Sequence, residues 1–123
     1  MKVKQGKVMP AMSAIDSIGK QSMKSATAYK LFMLKKALTP IIEFRVDQES
    51  KIIDELGGDL INDRRSVHFD DADKGAEYVQ RCAELNDIEC DINIEKQTIS
   101  LDTIPEITIA DSYALDEFIE WVE

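Results

Sequence analysis

One stretch, Ser25 to Gly58, limits the folds open to this chain more than any other, because it alone carries a long helical period. Its apolar residues Leu31, Leu34, Leu38, Ile41, Ile42, Val46, Ile53 and Leu56 recur mostly at steps of three and four. That spacing collects them on one stripe of an α-helix, which can be buried while the remaining surface meets water. Ser25 is placed to cap the first turn through its hydroxyl, and Gly57 to close the last turn in the left-handed conformation. A helix from Ala26 to Leu56 would be about 46 Å long, more than the width expected of a small domain. Pro40 stands in the middle. It lacks a backbone donor, crowds the preceding turn and restricts Thr39. Either one helix kinks at Pro40, or two helices meet there with Thr39 as N-cap and Pro40 at the tolerated first position. The apolar stripe runs through Pro40 and no Gly or polar cluster separates the halves, which favours the kinked helix.

The chain has 123 residues, 44% of them hydrophobic and 32% charged. This suits a single globular domain, residues 1–123, with a modest core. No apolar run approaches the ~18 residues of a membrane span, and the start lacks the apolar core of a signal peptide. Cys82 and Cys90 are too few for a disulfide framework. The expectation is a cytoplasmic protein whose two thiols are reduced and buried.

On either side of the long helix the periodicity changes. Lys2 to Val8 reads as a short edge strand or arm, and Pro10 opens a short helix to Gly19 with Met12, Ile15 and Ile18 on one face. After Gly57-Gly58, Leu60-Ile61 and Val67–Phe69 flank the turn signal Asn62-Asp63 as a weak hairpin. Asp70, Asp71 and Asp73 mark a helix N-terminus, where carboxylates meet free N–H groups. The helix is expected to bury Ala72, Ala76, Val79, Cys82 and Ala83 and to end near Leu85, closed by Asn86-Asp87. Ile88, Cys90, Ile92 and Ile94 then alternate with Glu89, Asp91, Asn93 and Glu95, the period of a half-buried strand. Ile99 and Leu101 suit a second strand and Ile107 to Ile109 a third. A last helix is expected after Asp111 or Ser112, with Leu115, Phe118, Ile119 and Val122 on its buried face.

Charge is unevenly distributed. Lys and Arg outnumber Asp and Glu 12 to 8 over residues 1–65, and are outnumbered 3 to 16 over residues 66–123, within a net charge of -9. Residues 1–40 hold eight lysines against Asp16 alone. Such asymmetry concerns partners, unless the two halves face and neutralise each other.

Sequences that carry chemistry are scarce. Counting from Asp71, Gly75 is fifth and Cys82 twelfth, so the acidic cluster lacks the glycine and glutamate that a calcium loop requires at those turns. His68 is the only histidine, without the companions a zinc site draws on. Cys82 and Cys90, eight apart on an expected helix and strand, read as small buried apolar residues and not as nucleophiles, which would want a basic partner. Phosphate-cradling glycine loops, nucleophile elbows and zinc-protease motifs are missing. The N-terminal lysines could meet phosphates, but without arginine or aromatic base readers there, and with a pI of about 4.6, direct nucleic-acid binding is not expected. The expectation is a non-enzyme with no cofactor and no metal.

Taken in order, a lysine-rich start, Ala28-Tyr29-Lys30-Leu31 opening a long amphipathic helix, Leu56-Gly57-Gly58, the Asp-rich helix start, the acidic strand Ile88–Ile94 and the tail Phe118-Ile119-Glu120 resemble a class of small uncharacterised proteins of Gram-positive bacteriophages and prophages. The resemblance is one of layout; Pro40 and the His68 region depart from it. It implies a phage-encoded protein and brings no site residues.

The expected fold is α+β, with a long kinked helix in a helical layer (residues 10–56 and 71–85) packed on a small antiparallel sheet (residues 88–109). The expected function is that of an acidic protein-binding module, a phage-encoded inhibitor or adaptor of a host or phage protein, with anti-defence action one form of it. The alternative is a virion assembly protein that forms a homo-oligomer through the long helix. The candidate partner-binding residues are Glu89, Asp91 and Glu95 on the alternating strand and Asp116, Glu117 and Glu120 on the last helix. They would face a basic surface of another protein, with no membrane and no direct nucleic-acid contact.

Overall fold

The computed structural model describes residues 1–64 and 66–123 and has an α+β fold. Strand β1 (Lys2–Lys4) leads through a 3-10 turn into helix α1 (Val8–Ile18) and then helix α2 (Ser25–Leu56). Hairpin β2 (Asp59–Ile61) and β3 (Ser66–His68) precedes α3 (Ala72–Asn86), β4 (Glu89–Asp91) and β5 (Gln97–Ser100). The chain ends with the short helix α4 (Ile109–Ala114) and strand β6 (Ile119–Val122).

Helix α2 continues through Pro40, so the single-helix reading holds. Its C-terminus is the one expected. Gly57 has φ +71°, its N–H donates to the Asp54 carbonyl, and the Gly58 N–H donates to Ile53 at 2.9 Å. This is a Schellman closure, which a residue with a Cβ would strain. At the other end the cap position is Lys24, which makes no side-chain cap, and Ser25 is already helical. The buried stripe also differs from expectation at one point. Val46 is 49% exposed, and the inward position of that turn belongs to Arg45, whose side chain is only 16% exposed. Arg45 keeps its guanidinium in a layer of polar contacts with Glu49, Gln5, Asn86 and Cys82.

Two apolar clusters sit along α2. The larger joins α1 through Val8, Ala11, Ile15 and Ile18, the first half of α2 through Leu31, Leu34 and Leu38, and the C-terminal residues Leu115, Phe118 and Ile119. The smaller joins the end of α2 (Ile52, Leu56) to Leu85 of α3, with Phe69 and Tyr78 against it. The expected buried face of α3 is corrected here. Val79 is 70% exposed, and Leu85 is the buried residue of that helix. Tyr78, Cys82 and Leu85 point inward because α2 meets α3 on that side, a choice that several amphipathic registers would have allowed.

Three two-stranded ladders replace one continuous sheet. β1 pairs antiparallel with β4, β2 with β3 antiparallel, and β5 with β6 parallel. The alternating strand stops at Asp91, because its partner β1 is three residues long. Ile92 still bonds the chain start, its N–H donating to the Met1 carbonyl at 2.8 Å. The expected second strand is present as β5 around Ile99, but it ends at Ser100, Leu101–Thr103 being a 3-10 turn, and it pairs parallel with β6 instead of antiparallel; Ile109 begins a helix, so the expected third strand is not formed there. The last segment is also corrected: the expected helix ends at Ala114, and Ile119–Val122 is a strand. Among the described residues no helix is long and apolar enough to cross a membrane.

Candidate functional site

The segment from Thr108 to Val122 places the most exposed apolar side chains of the chain beside carboxylates. α4 starts at Thr108, whose Oγ1 accepts from the Asp111 N–H at 3.0 Å, while the Ser112 hydroxyl donates to the Thr108 carbonyl. Asp111 in the first turn favours the positive end of the helix. The helix is then stopped by backbone bonds that turn the chain over. Asp116 N–H donates to Tyr113, and the N–H groups of Phe118 and Ile119 both donate to Leu115 at 2.9 Å. Leu115 and Phe118 are fully buried, so the turn is pinned from beneath.

That anchoring leaves the outer side bare. Ile109 is 90% exposed and Tyr113, one helical turn on, is 77% exposed. Residues four apart share a helix face, so the two make one apolar tip. Asp116 and Glu117 follow at once and are exposed. They form one wall of a groove of about 680 Å³, together with Tyr113; Lys4, Lys7 and Asp87 stand on the other sides.

The six expected binding residues are all exposed, but they fall in separate places. Asp116 and Glu117 lie on the turn after α4, not in a helix, and Glu120 lies on β6 opposite Thr98. Glu95 precedes β5, and its carbonyl accepts from the Gln97 side chain at 2.9 Å. Glu89 and Asp91 sit on β4 in register with Lys4 and Lys2. Opposite charges so placed attract across the ladder, and the Met1 amino group lies 3.5 Å from Asp91. The lysine-rich start therefore meets part of the acidic half within the same molecule.

Elsewhere the reactive side chains are dispersed. His68, the last residue of β3, has its Nε2 3.1 Å from Asp70 Oδ1, and both side chains are exposed. Asp71 caps α3 by accepting from the Asp73 N–H at 2.8 Å, the role expected of it. Cys82 and Cys90 are free and half-buried rather than fully buried. Burial pushes the Cys90 thiol up, and the Gln5 amide works against it more weakly. Burial, then the hydrogen bond to Cys82, pushes the Tyr78 phenol up to about 12. Among the described residues no three His, Cys, Asp or Glu side chains gather as a metal site. Sequence reading missed Ile109 and Tyr113 as surface residues. The strand signal at Ile107–Ile109 hid them, although Thr108 followed three residues later by Asp111 is a recognisable helix start.

Compared with protein-family models, curated proteins and solved structures, the chain has no match.

Proposed function

We propose that this protein is a non-enzymatic, acidic protein-binding module that lays its α4 surface against a basic groove of another protein, as an inhibitor or adaptor. The observation that carries this reading is the pairing of Ile109 and Tyr113, outward on one helix face, with Asp116 and Glu117 on a turn pinned by buried Leu115 and Phe118. An apolar tip ringed by charge is the form of a recognition surface, in which the tip supplies affinity and the charges supply orientation. Because the turn is already ordered, binding need not pay again for ordering it. Glu120 and Glu95 extend the negative charge along the neighbouring ladder. Glu89 and Asp91, opposed by lysines, contribute least.

Carboxylates on a rigid surface compete for the same basic grooves that hold phosphates. The fitting target is therefore a nucleic-acid-handling protein, and the layout resemblance to phage proteins points to a host or phage one. Tagged protein expressed in infected or lysogenic Gram-positive cells, followed by mass spectrometry of captured proteins, identifies it. The Asp116→Lys, Glu117→Lys, Glu120→Lys triple variant should bind the captured protein at least about tenfold more weakly while keeping its fold. Equal capture by wild type and variant contradicts the reading.

A further inference from the structure

We propose that a second copy of this chain is itself a partner of the α4 surface, received in a basic groove between α1 and α2. The proposal rests on the reading of α4 as a recognition surface and names one occupant for the complementary site.

The groove lies where α1 turns back into α2 and has a volume of about 490 Å³. Its floor is apolar, from Ile15, Met23 and Leu31, and Phe32 forms its lip. A second depression of about 430 Å³ shares Phe32 and Lys35 and continues along α2 to Lys36 and Pro40. Phe32 is 56% exposed and Tyr29 61% exposed, their rings tilted against each other with centroids 6.3 Å apart. This is a cluster of apolar surface that the fold leaves uncovered.

The surrounding charge selects the occupant. Lys20, Lys35 and Lys36 line the two depressions, and the one acid there, Asp16, is held by Lys35 at 2.7 Å. Among the described residues Lys20 and Lys36 make no ion pair. A chain of net charge -9 thus presents a locally cationic apolar groove. The α4 surface is its complement, with an apolar tip and the carboxylates of Asp116 and Glu117, which share a groove with Lys4 and Lys7 but make no ion pair among the described residues. The two surfaces differ from each other. Reciprocal exchange closes a two-fold dimer, and one-way docking builds a ring where its rotation closes and an open chain where it does not.

Salt alone separates little, because it screens the contact and the repulsion between two acidic copies alike. Charge reversal separates them. The test measures mass by sedimentation of the full chain from micromolar to about 1 mM, the weakest useful range of affinity. Wild type should exceed the monomer mass of 13.9 kDa as concentration rises. Lys20→Glu with Lys36→Glu, and separately Asp116→Lys with Glu117→Lys, should each weaken association about tenfold or more. The variant carrying all four changes keeps the wild-type net charge and should associate again. Wild type that stays monomeric throughout, or a four-fold variant no better than the two-fold ones, overturns self-docking. Capture of the cellular target is a separate readout: a monomeric chain whose triple reversal still loses that target removes the self-docking proposal and leaves the function standing.

Discussion

Arg45 joins elements of this fold through polar contacts that the apolar pattern does not reveal. Its Nε donates to Glu49 at 2.7 Å, and its Nη1 donates to Asn86 at 2.6 Å and more weakly to Gln5 at 3.3 Å. Nη2 reaches the Cys82 carbonyl at 3.4 Å. One guanidinium thus ties α2 to α3 and to the turn after β1, using the planar fork that lysine lacks. A neutral replacement leaves the part-buried acceptors on Glu49, Gln5 and Cys82 without this donor, while exposed Asn86 turns to water. Arg45→Leu should lower unfolding free energy by about 2–4 kcal/mol in urea titration. A change within about 0.5 kcal/mol, the usual scatter of surface substitutions, would mean that these bonds merely replace bonds to water. This residue was not legible in the sequence, since a charged side chain on an apolar stripe reads as a gap in the pattern.

At the scale of elements, what the sequence made legible follows from how local the cause is. The Gly57 closure and the Asp71 cap are decided within a turn or two of the chain, and both are found where the residues predict them. α2 is legible because its period persists over many turns. The segment from Leu115 to Val122 is different. Its apolar spacing fits a helix face, yet Leu115 and Phe118 are buried by a tight turn, and Ile119–Val122 is extended because β5 offers a parallel ladder. Branched and aromatic residues there accept either state, and a distant partner chooses. The same logic shortened the alternating strand at Asp91. Pro40 tests the account of α2. Its missing N–H leaves the Lys36 carbonyl without its helical donor, at an exposed site. Pro40→Ala should raise stability by about 1–3 kcal/mol, read from the denaturant midpoint. Loss of stability would show that the proline sets a geometry on which the two clusters depend.

The whole molecule is arranged along α2, with the large cluster on its first half and the small one at its end. The large cluster ends in the buried C-terminal side chains, so the stability of the core and the presentation of the α4 surface have one cause. Leu115, Phe118 and Ile119 are inside, and Ile109, Tyr113, Asp116 and Glu117 are consequently held outside in fixed relation. The candidate site was half legible: the carboxylates were visible as an acidic half, whereas the apolar tip depended on a turn that local spacing concealed. The charge asymmetry divides likewise. Part of it is opposed within the molecule, where Lys2 and Lys4 face Asp91 and Glu89, and another part is displayed on the groove of α1 and α2 and on the α4 turn. On the proposed reading, α4 is the surface that meets a partner. The most direct measurement is the affinity of the captured target for Ile109→Ser, Tyr113→Ser protein, by calorimetric titration beside wild type. Both side chains already lie in water, so the variant should fold normally, and its affinity should fall at least about 30-fold, as for loss of a central apolar contact. A folded variant that binds its target as tightly as wild type would contradict the account.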